Sequence, residues 1–343
     1  MSTRRSLALA LLAAAAGCQS LLPWSPERAR WRLCPSGVDQ SLRGLAPVSR
    51  DVCYVGGSEG TLRKTTDGGE TWRDVAPAGS SGCDFRDVEV LAADVVVAMV
   101  AGTPARLYRS TDGAASWTLV HEDPRPEAFF DAVAFDGARG VVFGDAIDGR
   151  FVLLESLDAG RSWQDVPGQP LPAPRGQEAA FAASGTCLVA GPDGFSLVTG
   201  GEACRYVGFL PGGPRRVVEL PLCSGAGSSG AFSVAWSAAR GVCVGGDYRS
   251  VERDDGSAAY TEDGGRSWRP AAAGGYRSGV AWVSSRDVVA VGSHGASWSS
   301  DGGRTFAPFG SESFHSVGRA RDGAVWACGA NGRVARLVLG PRP

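Results

Sequence analysis

Five short segments of this chain share one form, Ser/Thr-x-Asp-x-Gly-x-Ser/Thr-aromatic. They are Thr65-TDGGET-Trp72, Ser110-TDGAAS-Trp117, Ser156-LDAGRS-Trp163, Thr261-EDGGRS-Trp268 and Ser299-SDGGRT-Phe306, the second with Ala114 where the others carry Gly. One copy would mean little. Five copies make the chain a repeat protein, in which each unit is a supersecondary element that must bury its apolar face against its neighbours. Asp and Gly at the centre are what a tight β-hairpin demands, because the carboxylate accepts backbone N–H groups and Gly permits positive φ. Asp67, Asp112, Asp158, Asp263 and Asp301 therefore read as structural carboxylates. The closing Trp72, Trp117, Trp163, Trp268 and Phe306 are expected to bury their rings against strands of their own sheet.

The aspartates lie 45, 46, 105 and 38 residues apart. The long gap should hold a unit whose motif has decayed. Leu197-VTGGEA-Cys204 fits, with Thr199 in the Asp place and Cys204 in the Trp place. Upstream of the turns runs a second pattern, an alternating strand, a turn and an apolar run ending in Gly, as in Gly279-VAWVSSRDVVAV-Gly292. Counting it gives seven units, starting near Leu42, Phe85, Phe130, Glu178, Phe232, Gly279 and Val317. The average period is about 42 residues, that of a four-stranded propeller blade. The last unit runs out of chain, and Trp31–Cys34 can supply its outermost strand and close the ring. The expected fold is an all-β, seven-bladed β-propeller over 31–340, with six blades as the alternative if the last unit packs differently. Leu210–Ser229 reads as an insertion before the fifth unit and Arg249–Ser257 as a long loop within it. Composition agrees: 49 Gly, 20 Pro and 10 Trp among 343 residues, with 20% charged, suit many turns and closely spaced strands.

These turns resemble the bacterial neuraminidase repeat, or Asp box, shared by sialidases, sortilin-type receptors and the photosystem II stability/assembly factor family. Val52-CYVGGSEGTLRKTTDGGET-Trp72 and Val288-VAVGSHGASWSSDGGRT-Phe306 follow the layout of the last most closely. That resemblance implies an exported seven-bladed propeller that helps assemble a membrane complex. The sialidase resemblance implies a different function, glycan hydrolysis with a Tyr nucleophile and three Arg residues clamping a carboxylate. The early Arg-Ile-Pro motif of such enzymes does not occur here.

The N-terminus reads as a targeting signal. Arg4 and Arg5 precede an apolar run from Leu7 to Gly17, eleven residues, too short to span a bilayer. It ends at Ala15-Ala16-Gly17-Cys18, which resembles a bacterial lipobox. Residues 1–17 are then the leader, Cys18 the lipidated residue and 18–30 a flexible tether, placing the protein on a membrane, most simply the outer membrane facing the periplasm or cell surface. Eight further cysteines, an even number, are compatible with disulfides in an exported chain; buried thiols are the other reading.

Other chemistries find little support. Lys+Arg (34) nearly equal Asp+Glu (36), so charge gives no reason to expect nucleic acid. His121, His294 and His315 are scattered and read as surface or loop residues, and Asp145 and Asp148 as a hairpin turn. Gly56-GSE-Gly60 and Gly225-AGSS-Gly230 match glycine motifs by letter but lead into strands and read as turns. No metal or cofactor is expected, and the chain reads as a monomer. The candidate binding face is the channel mouth, just before each innermost strand: Arg43, Arg86, Asp87, Asp131, Gln177, Glu178, Arg277, Ser278 and His315. There a protein segment or polar ligand would dock. Arg215-Arg216 and Arg253-Asp254-Asp255 add charge in the two longest loops.

Overall fold

A computed structural model of the protein describes residues 29–166, 171–210 and 212–340. The expected leader 1–17 and Cys18 lie outside the described residues, as does nearly all of the tether. The described residues form strands and turns without a helix. Seven antiparallel sheets follow one another, covering 42–74, 85–123, 130–165, 188–219, 226–271, 279–308 and 316–338. Six have four strands. The fifth gains an extra edge strand, Gly200–Gly201. The molecule is a seven-bladed β-propeller.

Closure works as the sequence suggests. Arg30–Leu33 pairs with Val334–Val338, in register Arg30↔Val338 to Leu33↔Ala335, and becomes the outermost strand of the seventh blade. The first and last strands of the chain thus pair within one sheet and close the ring.

The core lies in the seams between blades. Tyr54, Leu62, Phe85, Val96 and Ala98 join blades one and two; Cys53, Val55, Trp326 and Cys328 join blades one and seven. Trp163 packs on Phe135 and Trp268 on Trp236 of their own sheets, as expected, but Trp72, Trp117 and Trp268 also reach into the seam with the preceding blade. Trp117 of blade two donates its indole N–H to Val75 O of blade one, at 2.7 Å. Trp72 meets Trp326 of blade seven edge to face, and Trp268 of blade five lies 5.4 Å from the Tyr206 ring of blade four. A four-stranded sheet has two apolar faces, and only the neighbouring blade can cover them; a large ring at the outer hairpin fills the wedge that widens away from the axis.

Blade four departs from the expected register. Its strands are Leu188–Gly191, Gly194–Val198, Arg205–Leu210 and Gly213–Glu219. The unit therefore starts ten residues after Glu178. Thr199–Cys204 connects the second strand to the third, so Thr199 does not take the place of a turn aspartate; those turns connect third to fourth. Nor is 210–229 an insertion, since Gly213–Glu219 is the fourth strand and carries Arg215 and Arg216. The segment Gly225–Gly230 enters the long strand Ala226–Ser237 and is not a turn. Gly230, at φ +148, passes so close to Gly200 that a Cβ would sit 2.2 Å from the Gly200 Cα, so these backbones can touch only as glycines.

All eight described cysteines are free thiols, seven of them buried. Burial pushes the Cys204 and Cys328 thiols up to about 12.

Candidate functional site

The repeated aspartates act on their own turns. In blade one Asp67 Oδ1 accepts from Thr65 Oγ1 (2.8 Å), Glu70 N (3.1 Å) and Thr71 N (2.9 Å), and Oδ2 from Thr71 Oγ1 (2.5 Å). The leading hydroxyl is used twice, because Thr65 Oγ1 also accepts from Gly69 N at 3.0 Å. Asp112, Asp158, Asp263 and Asp301 repeat the same four contacts with their own turns. The two residues after each aspartate have left-handed backbones. Ala114 (φ 74) and Ala159 (φ 60) adopt this conformation despite their Cβ atoms. Hydrogen bonds to the ionised form, first from the Thr71, Ser116 and Ser162 hydroxyls, hold Asp67, Asp112 and Asp158 down to about 2. Each carboxylate is spent on its own outer hairpin, and the five are dispersed, one per blade.

The channel mouth is different. A cavity of about 450 Å³ opens there, walled by residues from all seven blades or the segments leading into them. Arg43, Arg86, Asp131 and His315 of the predicted ring line it. In blades one to three the mechanism is a bulge: register shifts at Arg43, Arg86 and Asp131 turn these side chains out of the pleat toward the axis. Two arginines reach across the mouth to the segment before blade four, Arg43 Nη1 donating to Ala183 O (3.3 Å) and Arg86 Nη1 to Ala182 O (3.0 Å). Arg86 Nε also pairs with Asp84 at 2.7 Å.

Burial dominates the electrostatics here. His315 is pushed down to about 4 by burial and by the adjacent Arg43 charge, so its ring is neutral at pH 7; Nδ1 lies 3.1 Å from Leu42 O and donates to it. It is a half-buried histidine in the loop just before Ser316–Arg319. Burial lifts the Asp131 carboxyl well above the usual range, reinforced by the Asp145 charge and opposed by Arg86. Asp145 is lifted to about 6 by burial.

Five predicted residues, Gln177 among them, do not line the cavity. Asp87 lies behind the wall, its carboxylate accepting from Val88 N and Val133 N (both 2.9 Å) and stitching blade two to blade three. Burial outweighs those bonds and raises it to about 7. Glu178 is sealed in a bidentate pair with Arg205 (Nε–Oε1 2.8 Å, Nη2–Oε2 2.6 Å) and accepts the Thr199 hydroxyl at 2.6 Å. Arg277 turns away, donating to Ser297 Oγ, Tyr276 O and Gly274 O. Ser278 is buried and donates to His315 O. Among the described residues lining this cavity, the arginines are Arg43 and Arg86.

The sequence reading missed the cavity's aromatic half. Phe181 stacks on Phe232 with centroids 3.8 Å apart and planes at 7°; Tyr276 stands edge-on to Phe232 at 4.9 Å, and Tyr248 completes the wall. Asp145 was also missed. It sits within strand Arg139–Ile147, while Asp148 (φ 52) and Gly149 form the hairpin turn that both had been assigned to. The signal was available in part, since Phe232 holds the same bulge position as Arg43 and Arg86.

No family profile and no curated protein sequence matches the chain. Solved structures do. YCF48 bound to D1 peptide superposes with a TM-score of 0.64 at 18% identity, over 92% of this chain and 98% of that one. YCF48 from Cyanidioschyzon merolae gives 0.63 at 17%, over 89% and 98%. The GH74 xyloglucanase from Xanthomonas campestris gives 0.60 at 13%, over 90% of this chain and 53% of that one. At such identities the likeness establishes a shared propeller fold.

Proposed function

We propose that this protein is a binding scaffold that takes a polypeptide segment at the channel mouth. The observation that carries this is the cavity itself. It is a concave site of about 450 Å³ into which all seven blades contribute, one side charged and the other aromatic. Such a surface combines area for apolar contact with polar groups that fix orientation, on a scaffold that needs no rearrangement to present it. A structure of the same fold holding a peptide, YCF48 with D1 peptide, supports a polypeptide as the ligand class. Export on residues 1–17 and acylation of Cys18 would tether the propeller to a membrane surface and direct it toward membrane-associated partners.

The test is charge reversal at the mouth. Arg43→Glu with Arg86→Glu should abolish co-purification of the partner from native membranes, while unfolding remains cooperative. Retention of the partner by the double variant, together with its loss on altering the outer rim, would place the interface elsewhere. Release of fluorophore from a sialic-acid glycoside would favour the hydrolase.

A further inference from the structure

The mouth contains donors that are partly used and acceptors that are not. The Arg43 and Arg86 guanidiniums already donate to Ala183 O, Ala182 O and Asp84. Asp131 and Asp145 are in the opposite state. Asp131 is 1% exposed, and although the Ala182 backbone N–H serves its carboxyl, Oδ2 is buried with no hydrogen-bond partner among the described residues. Asp145 Oδ1 is likewise buried and unpartnered. Asp131 sits at the bulge opposite Gly144, and Asp145 N bonds Phe129 O, so both acids lie at one corner of blade three in the wall of one cavity. A buried carboxylate oxygen without a donor carries an uncompensated desolvation penalty, larger when ionised. Such atoms are kept where something else supplies the hydrogen.

We infer that the Asp131–Asp145 pair is a receptor for a primary ammonium group carried on an apolar stem, such as a lysine side chain or an N-terminal amine of the bound segment. An ammonium brings three N–H donors and a positive charge, which is the complement of two acid oxygens in one wall. Its alkyl stem would run along the stacked Phe181–Phe232 rings and Tyr276. Tyr248, 44% exposed, stands at the entrance. Aromatic faces beside a cation add attraction of their own. At this corner of the wall a carboxylate ligand would meet two acids of its own sign.

This inference rests on the mouth being the binding site, and the experiment separates the two. The probe is hexylammonium chloride, with sodium hexanoate and N-acetylhexylamine as comparators, read by saturation-transfer NMR and titration calorimetry. Hexylammonium should bind, and both comparators should bind at least tenfold more weakly. Asp145→Asn and Asp131→Asn should each weaken hexylammonium tenfold or more. Asp145→Asn is the safer variant because its side chain is less buried, and cooperative unfolding of each variant checks the fold. Equal binding of hexylammonium by wild type and both variants would overturn the inference, as would preference for hexanoate. If partner capture at the mouth survives Asp145→Asn undiminished, the ammonium site is wrong and the scaffold stands; if hexylammonium binds as described but no polypeptide does, the scaffold is wrong and the site stands.

Discussion

Replacing Asp301 by Ala tests directly whether the repeated aspartates work on the backbone. Its carboxylate holds Ser299 Oγ (2.8 Å), Arg304 N (3.1 Å), Thr305 N (2.9 Å) and Thr305 Oγ1 (2.7 Å). Removing it leaves two backbone N–H groups and two hydroxyls without an acceptor. Arg304 and Thr305 are exposed, so water takes over much of the loss, and the penalty should resemble that of a lost helix cap, about 1–2 kcal/mol. With roughly 2.1 cal/mol/K per residue over about 310 residues, unfolding entropy is about 650 cal/mol/K, and Tm should fall by about 1.5–3 °C. Asp301→Asn, which keeps one acceptor oxygen, should cost less. The pH dependence fixes the sign. Burial alone would raise the Asp301 carboxyl, but the Thr305 and Ser299 hydrogen bonds outweigh it and lower the group overall. Its contribution is therefore present above the unfolded carboxylate range and lost as pH falls, so the difference between wild type and Asp301→Ala should shrink below about pH 4. Chemical denaturation across pH 3–8 measures this. An Asp301→Ala protein as stable as wild type but deficient in ligand or metal binding would refute a structural role.

Three further outcomes follow from the same contacts. Glu178→Gln breaks a sealed bidentate pair and should cost roughly 3–5 kcal/mol, with Glu178→Gln/Arg205→Met recovering part of it, by denaturant titration. Asp145, raised by burial to about 6, has the opposite sign from Asp301: the native state is favoured below the unfolded pKa and loses that advantage as pH rises from about 4 to about 6. Asp145→Asn should remove about 1–2 kcal/mol of this fall, after allowance for screening of a half-buried group; an unchanged slope in pH-dependent melting would contradict the assigned environment. Cys18→Ala should move the protein from the membrane fraction to the soluble one, and continued membrane partitioning would count against the anchor.

How much of this was legible depended on whether backbone or side-chain packing decided the outcome. The Asp–Gly turns and innermost strands could be read because their periods are set by local chemistry, and counting them gave seven blades and a closing strand at Trp31–Cys34, which the structure places at Arg30–Leu33. Blade four misled because Val198-TGG resembles a turn motif, while its true outer strand, Gly213–Glu219, is exposed or half-buried throughout and begins Gly-Pro, so it looks like a loop. At the mouth, position was legible and direction was not. Arg43 lies at the start of an innermost strand and Arg277 just before one, yet Ser297 Oγ and two carbonyls hold Arg277 away from the cavity, contacts made by residues up to 20 positions away. The aromatic wall went unread because a search for polar residues passes over Phe181, Phe232 and Tyr276 at the positions where they matter.

The most direct measurement is site-specific photo-crosslinking in the native cell, with benzoylphenylalanine placed at Tyr248 beside the cavity or at Leu157 on an outer turn. The account predicts a discrete adduct to one polypeptide from position 248 that disappears with Arg43→Glu/Arg86→Glu, and none from position 157. An adduct from the outer turn that ignores the mouth substitutions, with position 248 silent, would contradict it.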